Sequence, residues 1–248
     1  MKPVRIFSTD LDGTVVGDNE ATARFRDYWL SLPEESRPLL VFNSGRLIDD
    51  QRDLMQTVPL PRPDYIIGGV GTMMSSDSHP SLSDSYTSSL GAAFDWEKIA
   101  AVMKDVPGIR LQPDRYQHGL KSSWYLHDAD DATIAELERR LNDRGVAARI
   151  VYSSGRDLDV LPLAADKGAA LSWLCDHLGI GLDEAVVAGD TGNDRAMFEL
   201  GDVRGVVVSN ALQELKSFAV GKHNMFVASE EEADGVASGL KHWIGVSI

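Results

Sequence analysis

A single cysteine, Cys175, stands among 248 residues, so no disulfide forms within the chain. That excludes a small secreted scaffold held by cross-links, and the thiol is expected at a buried helix position. Nowhere do roughly 18 apolar residues run together, which removes a membrane-spanning helix. The first residues, Met1-Lys2-Pro3-Val4-Arg5-Ile6-Phe7, pass straight into Ser8-Thr9-Asp10 without the apolar stretch of a secretory leader. A soluble, cytoplasmic protein is expected. Positive charge is scarce: 24 lysines and arginines face 38 acidic residues, for a net charge of −14. Loose electrostatic attachment to nucleic acid or to an anionic membrane is therefore unfavourable, and neither is expected as a partner. The histidines show no His-Glu-x-x-His spacing, so zinc chemistry has no support. Gly68-Gly69-Val70-Gly71 lacks the Gly-x-Gly-x-x-Gly dinucleotide pattern and reads as a turn after a strand.

What the chain does have is an ordinary globular balance, 43% hydrophobic and 25% charged residues, with enough length for a substantial core. Short apolar runs at 4–9, 39–43, 65–67, 185–188, 206–208 and 225–227 end in polar turns and are followed by helix-like stretches. Continuous apolar runs of this length predict strands buried on both faces, as in a parallel sheet covered by helices. Helices are predicted at about 167–179, 194–200, 211–217 and 231–244, with Asp166 and Asn210 as N-caps and Glu230-Glu231-Glu232 supplying negative charge at the start of the last. The polar stretch 75–85 reads as loop. After it, helix-like 96–104 and 132–144 and strand-like 122–127, 148–152 and 158–161 suggest a small open-faced α+β unit. The expectation is a doubly wound α/β core, residues 1–79 and 162–248, interrupted by an inserted α+β domain at 80–161.

Four strand-end or helix-start segments carry chemistry. Asp10-Leu11-Asp12-Gly13-Thr14 follows the first run, where loops beyond the carboxyl ends of parallel strands form ligand crevices. Residues i and i+2 of extended chain point the same way, so two carboxylates face one pocket if that geometry persists. Such a pair suits a nucleophile and a proton-transfer partner, or alternatively an acidic turn with capping aspartates. Gly189-Asp190-Thr191-Gly192-Asn193-Asp194 is an oxygen-rich loop suited to magnesium, which would relieve the repulsion between a carboxylate and a phosphate. Its plain alternative is a turn with Asp194 at a helix start. Phe42-Asn43-Ser44-Gly45-Arg46 offers a hydroxyl and backbone N–H groups for phosphate oxygens, and Lys167 opens a helix where an ammonium offsets phosphoryl charge.

In order and spacing, Asp10-x-Asp12-x-Thr14, Ser44, Lys167 and Gly189-Asp190-x-x-x-Asp194 resemble the four motifs of the haloacid dehalogenase superfamily of phosphohydrolases. The resemblance implies a Rossmann-like core with a cap. It implies Asp10 as the nucleophile that becomes a phospho-aspartate and as a Mg2+ ligand. Asp12 matches the general acid and base, with its carbonyl a metal ligand; Ser44 and Lys167 match phosphate holders. Asp190 matches the metal-binding acid, and Asp194 a ligand or a supporting partner. Haloacid dehalogenases lack the second carboxylate and cation-pumping ATPases carry threonine there, so transfer of phosphate to water is implied. Phosphomutases sharing this core are the alternative class.

Three longer stretches, 42–46, 69–72 and Val151-Tyr152-Ser153-Ser154-Gly155-Arg156-Asp157-Leu158-Asp159-Val160-Leu161-Pro162, are similar to the sucrose-phosphate phosphatase group. Residues 13 and 15 are a glycine and a valine where that group usually carries a bulkier residue and an aromatic, and the overall pattern resembles the bacterial branch acting on mannosylfructose phosphate. The implied substrate is a disaccharide phosphate, mannosylfructose-6-phosphate ahead of sucrose-6-phosphate. Sugar hydroxyls need polar partners. The candidates are Lys121, Tyr152, Ser154 and Asp157 in the cap, and Arg46, Gln51 and Asn193 in the core, whereas Trp124 and Tyr125 read as cap core. Association with the synthase that makes such a substrate is left open.

Overall fold

The computed structural model describes residues 2–91 and 94–245; the ends of the expected domains at Met1 and 246–248, and residues 92–93, lie outside the described residues. A seven-stranded sheet forms the larger layer. Its strands are β1 (Ile6–Thr9), β2 (Leu39–Asn43), β3 (Tyr65–Gly68), β4 (Met73–Ser75), and later β9 (Ala185–Gly189), β10 (Arg204–Val207) and β11 (Met225–Val227), in spatial order β11-β10-β9-β1-β2-β3-β4. All neighbours are parallel except β4, which runs antiparallel to β3 at the edge. The covering helices are α1 (Asn19–Ser31), α2 (Ile48–Thr57) and α3 (Leu82–Ser89), and later in the chain α6 (Lys167–Leu178), α7 (Arg195–Phe198), α8 (Gln213–Ala219) and α9 (Glu232–Ile244). Every residue of β1 is buried, as its uninterrupted apolar run requires between two helical layers.

Register positions the chemistry. Thr9 lies opposite Phe42 on one side and Ala188 on the other, so the segments leaving β1, β2 and β9 emerge level at one edge. Asp10, Ser44 and Asp190 are thereby brought together although far apart in sequence, where the order of the sheet reverses on either side of β1. Helix α6 starts at the same edge. Asp166 caps it by accepting the N–H of Ala169 at 2.6 Å. A Cβ on Gly168 would overlap the carbonyl of Ala196, so only glycine lets the start of α6 pack this closely on α7, beside the Lys167–Asp194 pair.

The second sheet is antiparallel: β5 (Arg110–Leu111), β6 (Ser122–Tyr125), β7 (Ala148–Ser153) and β8 (Asp157–Pro162), in spatial order β5-β6-β8-β7. Helices α4 (Trp96–Met103) and α5 (Asp131–Asp143) supply Ile99, Val102, Met103, Leu137 and Leu141 to a separate core with Trp124, Leu158 and Val160. The alternation of β8 turns Leu158 and Val160 to that core and Asp157 and Asp159 to the opposite face, alongside Lys121 and Ser123. Among the described residues no helix of this unit covers that opposite face, which is polar.

Several expectations are corrected. The stretch 75–85 contains the end of β4 and the start of α3, whose Leu82 and Tyr86 join the larger core. A boundary at 80 therefore falls too early; the second core draws on residues from Phe94 onward. Asn210 does not cap α8, which begins after Leu212; its side chain is held by Gly13 and Glu232 instead. The helix expected at 194–200 is a 3-10 turn, Gly192–Asp194, followed by the short α7, because the Asp194 carboxylate folds back onto the N–H groups of Asp190 and Thr191. Among the described residues no helix is long and apolar enough to cross a membrane. Cys175 is buried in α6, and burial pushes its thiol up to about 12.

Candidate active site

A cleft of about 550 Å³ separates the two layers. Asp10, Asp12, Ser44, Arg46 and Asn193 line it from the seven-stranded sheet. Across it stand Lys121, Ser154, Asp157 and Asp159, all from strands or turns of the smaller sheet.

Asp10 is 5% exposed and rests on a fully buried base. The Lys167 ammonium lies 2.8 Å from Asp10 Oδ1 and 2.6 Å from Asp194 Oδ1. The other oxygen of Asp194 accepts the N–H groups of Asp190 and Thr191 at 2.9 and 3.0 Å. Thr14 Oγ1 donates to Asp190 Oδ1 at 3.0 Å. Asp10, Asp190 and Asp194 each bring a carboxylate oxygen within 4.8 Å of the others. Three buried carboxylates around one ammonium are under-compensated. Burial raises Asp10 well above the usual carboxylate range, with Lys167 opposing and Asp194 and Asp190 adding to the rise. Burial, and then the charge of Asp194, pushes Asp190 up to about 7. For Lys167 burial alone would lower the ammonium, but Asp10 and Asp194 outweigh it and hold it raised.

This donor set suits a hard divalent cation: the ligands are all oxygens, excess negative charge is already present, and among the described residues one oxygen each of Asp10 and Asp190 makes no hydrogen bond. Both oxygens of Asp194 are engaged by N–H donors, one by the Lys167 ammonium and the other by the backbone of Asp190 and Thr191. Lys167, expected to hold phosphate, stands behind Asp10 and is wholly buried, because its nearest neighbours are two carboxylates that demand its charge.

Asp12 lies nearer the mouth, with its side chain 51% exposed. Arg46 grips it in a bidentate pair, Nε and Nη2 each donating at 2.7 Å. Ser44 is buried, and its Oγ accepts the N–H of Arg46 at 3.2 Å. Asn193 Oδ1 accepts from the Thr191 hydroxyl at 3.1 Å.

Across the cleft, Lys121 Nζ is 3.2 Å from Asp159 Oδ1, both side chains nearly buried, and Ser123 donates to the same oxygen at 2.6 Å. Asp157 accepts from Gln112 at 3.0 Å and from Arg156 at 3.0 and 3.1 Å. Ser154 sits at the cleft in a left-handed turn, φ 54°.

Two expected sugar contacts do not face this space. Gln51 is fully buried and donates to the carbonyls of Ile67 and Arg46, tying α2 to β3. Tyr152 points to the helical side of its sheet, where its hydroxyl donates to Leu126 O and accepts from the N–H of Ala129. Asp159 and Gln112 were missed. For Asp159 a signal existed: an acid inside the apolar run 158–161, two residues from Asp157, belongs to the same face as Asp157.

The chain matches the family described as sucrose-6F-phosphate phosphohydrolase over residues 3–244. It belongs to that family. Membership makes it a haloacid dehalogenase-type sugar-phosphate phosphatase, a phosphoric monoester hydrolase. It is 63% identical over 243 residues, 98% of each chain, to the mannosylfructose-phosphate phosphatase of Agrobacterium fabrum. To sucrose-phosphatase 1 of Nicotiana tabacum it is 32% identical, over 95% of this chain but only 58% of the tobacco protein. The solved sucrose-phosphatase of Synechocystis, in complex with sucrose and phosphate, superposes with a TM-score of 0.85 at 27% identity, covering 98% of both chains. The phosphohydrolase family likeness thus extends over both sheets and the cleft between them.

Proposed function

We propose that this phosphohydrolase hydrolyses the phosphate monoester of a disaccharide, mannosylfructose-6-phosphate, with Mg2+ and through an aspartyl phosphate. The observation that carries the substrate is the 63% identity along 98% of both chains to a mannosylfructose-phosphate phosphatase. A sucrose-6-phosphate substrate is the second reading, favoured by the likeness to a sucrose-phosphatase bound to sucrose and phosphate.

Asp10 and Asp190 would hold the magnesium ion, with the Asp12 carbonyl, and when bound it neutralises phosphate charge that would otherwise repel a carboxylate. Asp10 attacks phosphorus; the new oxygen–phosphorus bond forms as the bond to the sugar oxygen breaks. Asp12 delivers a proton to that departing oxygen, then takes one from the water that cleaves the aspartyl phosphate, so Asp10 is regenerated and phosphate leaves. Lys167 keeps Asp10 oriented and offsets negative charge beneath it, while Ser44 and its following N–H groups receive phosphate oxygens. Asp194 secures Lys167 and the Asp190 loop.

The smaller unit, from about residue 94 to 161, serves as a cap that reads the sugar. Lys121 offers N–H donors and Asp159 an unengaged oxygen, a pairing that suits neighbouring hydroxyls; Asp157, Ser154, Arg46 and Asn193 complete the polar lining. The test is phosphate release from mannosylfructose-6-phosphate and sucrose-6-phosphate, compared by kcat/KM. A preference for the first is expected. A preference for a monosaccharide or polyol phosphate overturns both readings of the substrate, and transfer of the phosphoryl group to a second sugar hydroxyl overturns hydrolysis.

A further inference from the structure

The loop that presents Asp10 and Asp12 is held from behind by two side chains that take no part in the chemistry above. Asn210, in the turn after β10, donates from Nδ2 to the carbonyl of Gly13 at 2.7 Å. Its Oδ1 accepts the N–H of Glu232 at 2.9 Å. Glu232, the first residue of α9, reaches back with Oε2 to the N–H of Asp18 at 2.7 Å. Between those anchors Gly13 N–H donates to Val16 O at 2.8 Å. The peptide groups on both sides of Gly13 are therefore fixed. In a trans peptide the carbonyl of Asp12 must point away from the Gly13 N–H, so the same bond aims that carbonyl.

Two local features accompany the strap. Glu232 has φ 47°, a left-handed conformation that a side chain disfavours and that persists only where its surroundings over-determine it. A Cβ at Gly17 would overlap the Glu232 carboxylate, so the loop leaves room for it. We propose that Asn210 and Glu232 are positioning residues for phosphoryl transfer. They touch no substrate; they lock residues 10–18 so that Asp10 and Asp12 stay aimed into the cleft. This rests on the phosphatase reading of the site.

Asn210→Asp keeps the acceptor for Glu232 but sets an oxygen against the Gly13 carbonyl, and Glu232→Ala removes the grip on Asp18. Glu232→Gln retains it. In folded protein, checked by near-ultraviolet circular dichroism, N210D and E232A are expected to lower kcat for the sugar phosphate at least tenfold with KM within twofold, while E232Q keeps at least half of kcat. Backbone hydrogen exchange across residues 11–18, followed by mass spectrometry without Mg2+, should speed up at least fivefold in the first two and not in the third. E232A tests the strap from its other end if N210D does not fold. Unchanged exchange, a kcat within twofold of wild type, or a loss carried by KM overturns the proposal. A wild-type chain that releases no phosphate from any sugar phosphate would instead overturn the reading of the site, with exchange still reporting on the strap.

Discussion

The ammonium of Lys167 lies 2.8 Å from Oδ1 of Asp10, with both groups withdrawn from solvent. The pair is the electrical foundation of the site, since Asp10, Asp190 and Asp194 all crowd the same buried volume. Replacing Lys167 by methionine leaves these carboxylates without their cation. Removal of one partner from a buried pair costs about 3–5 kcal/mol, and a loss of that size is expected in urea unfolding at pH 7.5 with chelator present. A variant within about 1 kcal/mol of wild type would contradict the role given to Lys167.

Asp10→Asn should fold as wild type and lose at least about 10³-fold in kcat, because an amide oxygen cannot form a productive aspartyl phosphate. Substrate binding, followed by calorimetry, is expected to survive. Retained turnover would remove Asp10 as the nucleophile.

The raised carboxylates give a pH dependence with a definite sign. A carboxyl that is harder to ionise in the folded chain binds more protons there than when unfolded, so metal-free stability falls as pH rises through the interval between its unfolded and folded values. For Asp190 that interval runs from the ordinary aspartate value of 3.8 to about 7, and Asp10 acts in the same direction. The chelated protein should therefore lose thermal stability from pH 4 towards 7 by this contribution. Added Mg2+ should raise Tm more at pH 7.5 than at pH 5, where protons compete for the same oxygens. Equal Mg2+ shifts at both values would contradict a site built from these acids.

Asp12→Asn is expected to reduce kcat on a sugar phosphate by about 10²–10⁴, since a positioned acid contributes that much, and to slow an aryl phosphate with a good leaving group far less in the first step. The comparison is read from burst and steady-state release of the aryl alcohol. Similar burst losses on both kinds of leaving group would argue against Asp12 as the acid.

On the opposite wall, Asp159→Asn keeps the shape and the Ser123 contact but removes the charge opposite Lys121. A hydrogen bond to a charged group is worth about 1.5–3 kcal/mol, which corresponds to roughly a 10–150-fold fall in kcat/KM for the disaccharide phosphate. Hydrolysis of p-nitrophenyl phosphate, which has no sugar to read, should change little. Parallel losses on both substrates would place Asp159 in general structure rather than specificity.

Much of the scaffold was legible because continuous apolar runs report burial directly. The predicted strands at 39–43 and 225–227 coincide with β2 and β11, and Asp166 caps α6 as its position before Lys167 suggested. The stretch 75–85 misled because its serines and aspartates look like loop, yet two apolar residues four apart, Leu82 and Tyr86, suffice to dock a short helix on the larger core. Gln51 and Tyr152 misled for a related reason: a polar side chain in or beside a binding segment looks the same in sequence whether it faces a cleft or satisfies buried backbone.

The sequence by itself determined the alternation of strands and helices and the acidic, hydroxyl and amine groups at their ends, because periodicity and turn chemistry are local properties of the chain. Tertiary structure alone decided that Lys167 would serve Asp10 and Asp194, that Asp159 would share the cleft, and that Asn210 would hold Gly13 instead of capping a helix. Those outcomes depend on which buried charge lacks a partner and which strand faces which space, and such conditions exist only once residues distant in sequence have been packed together.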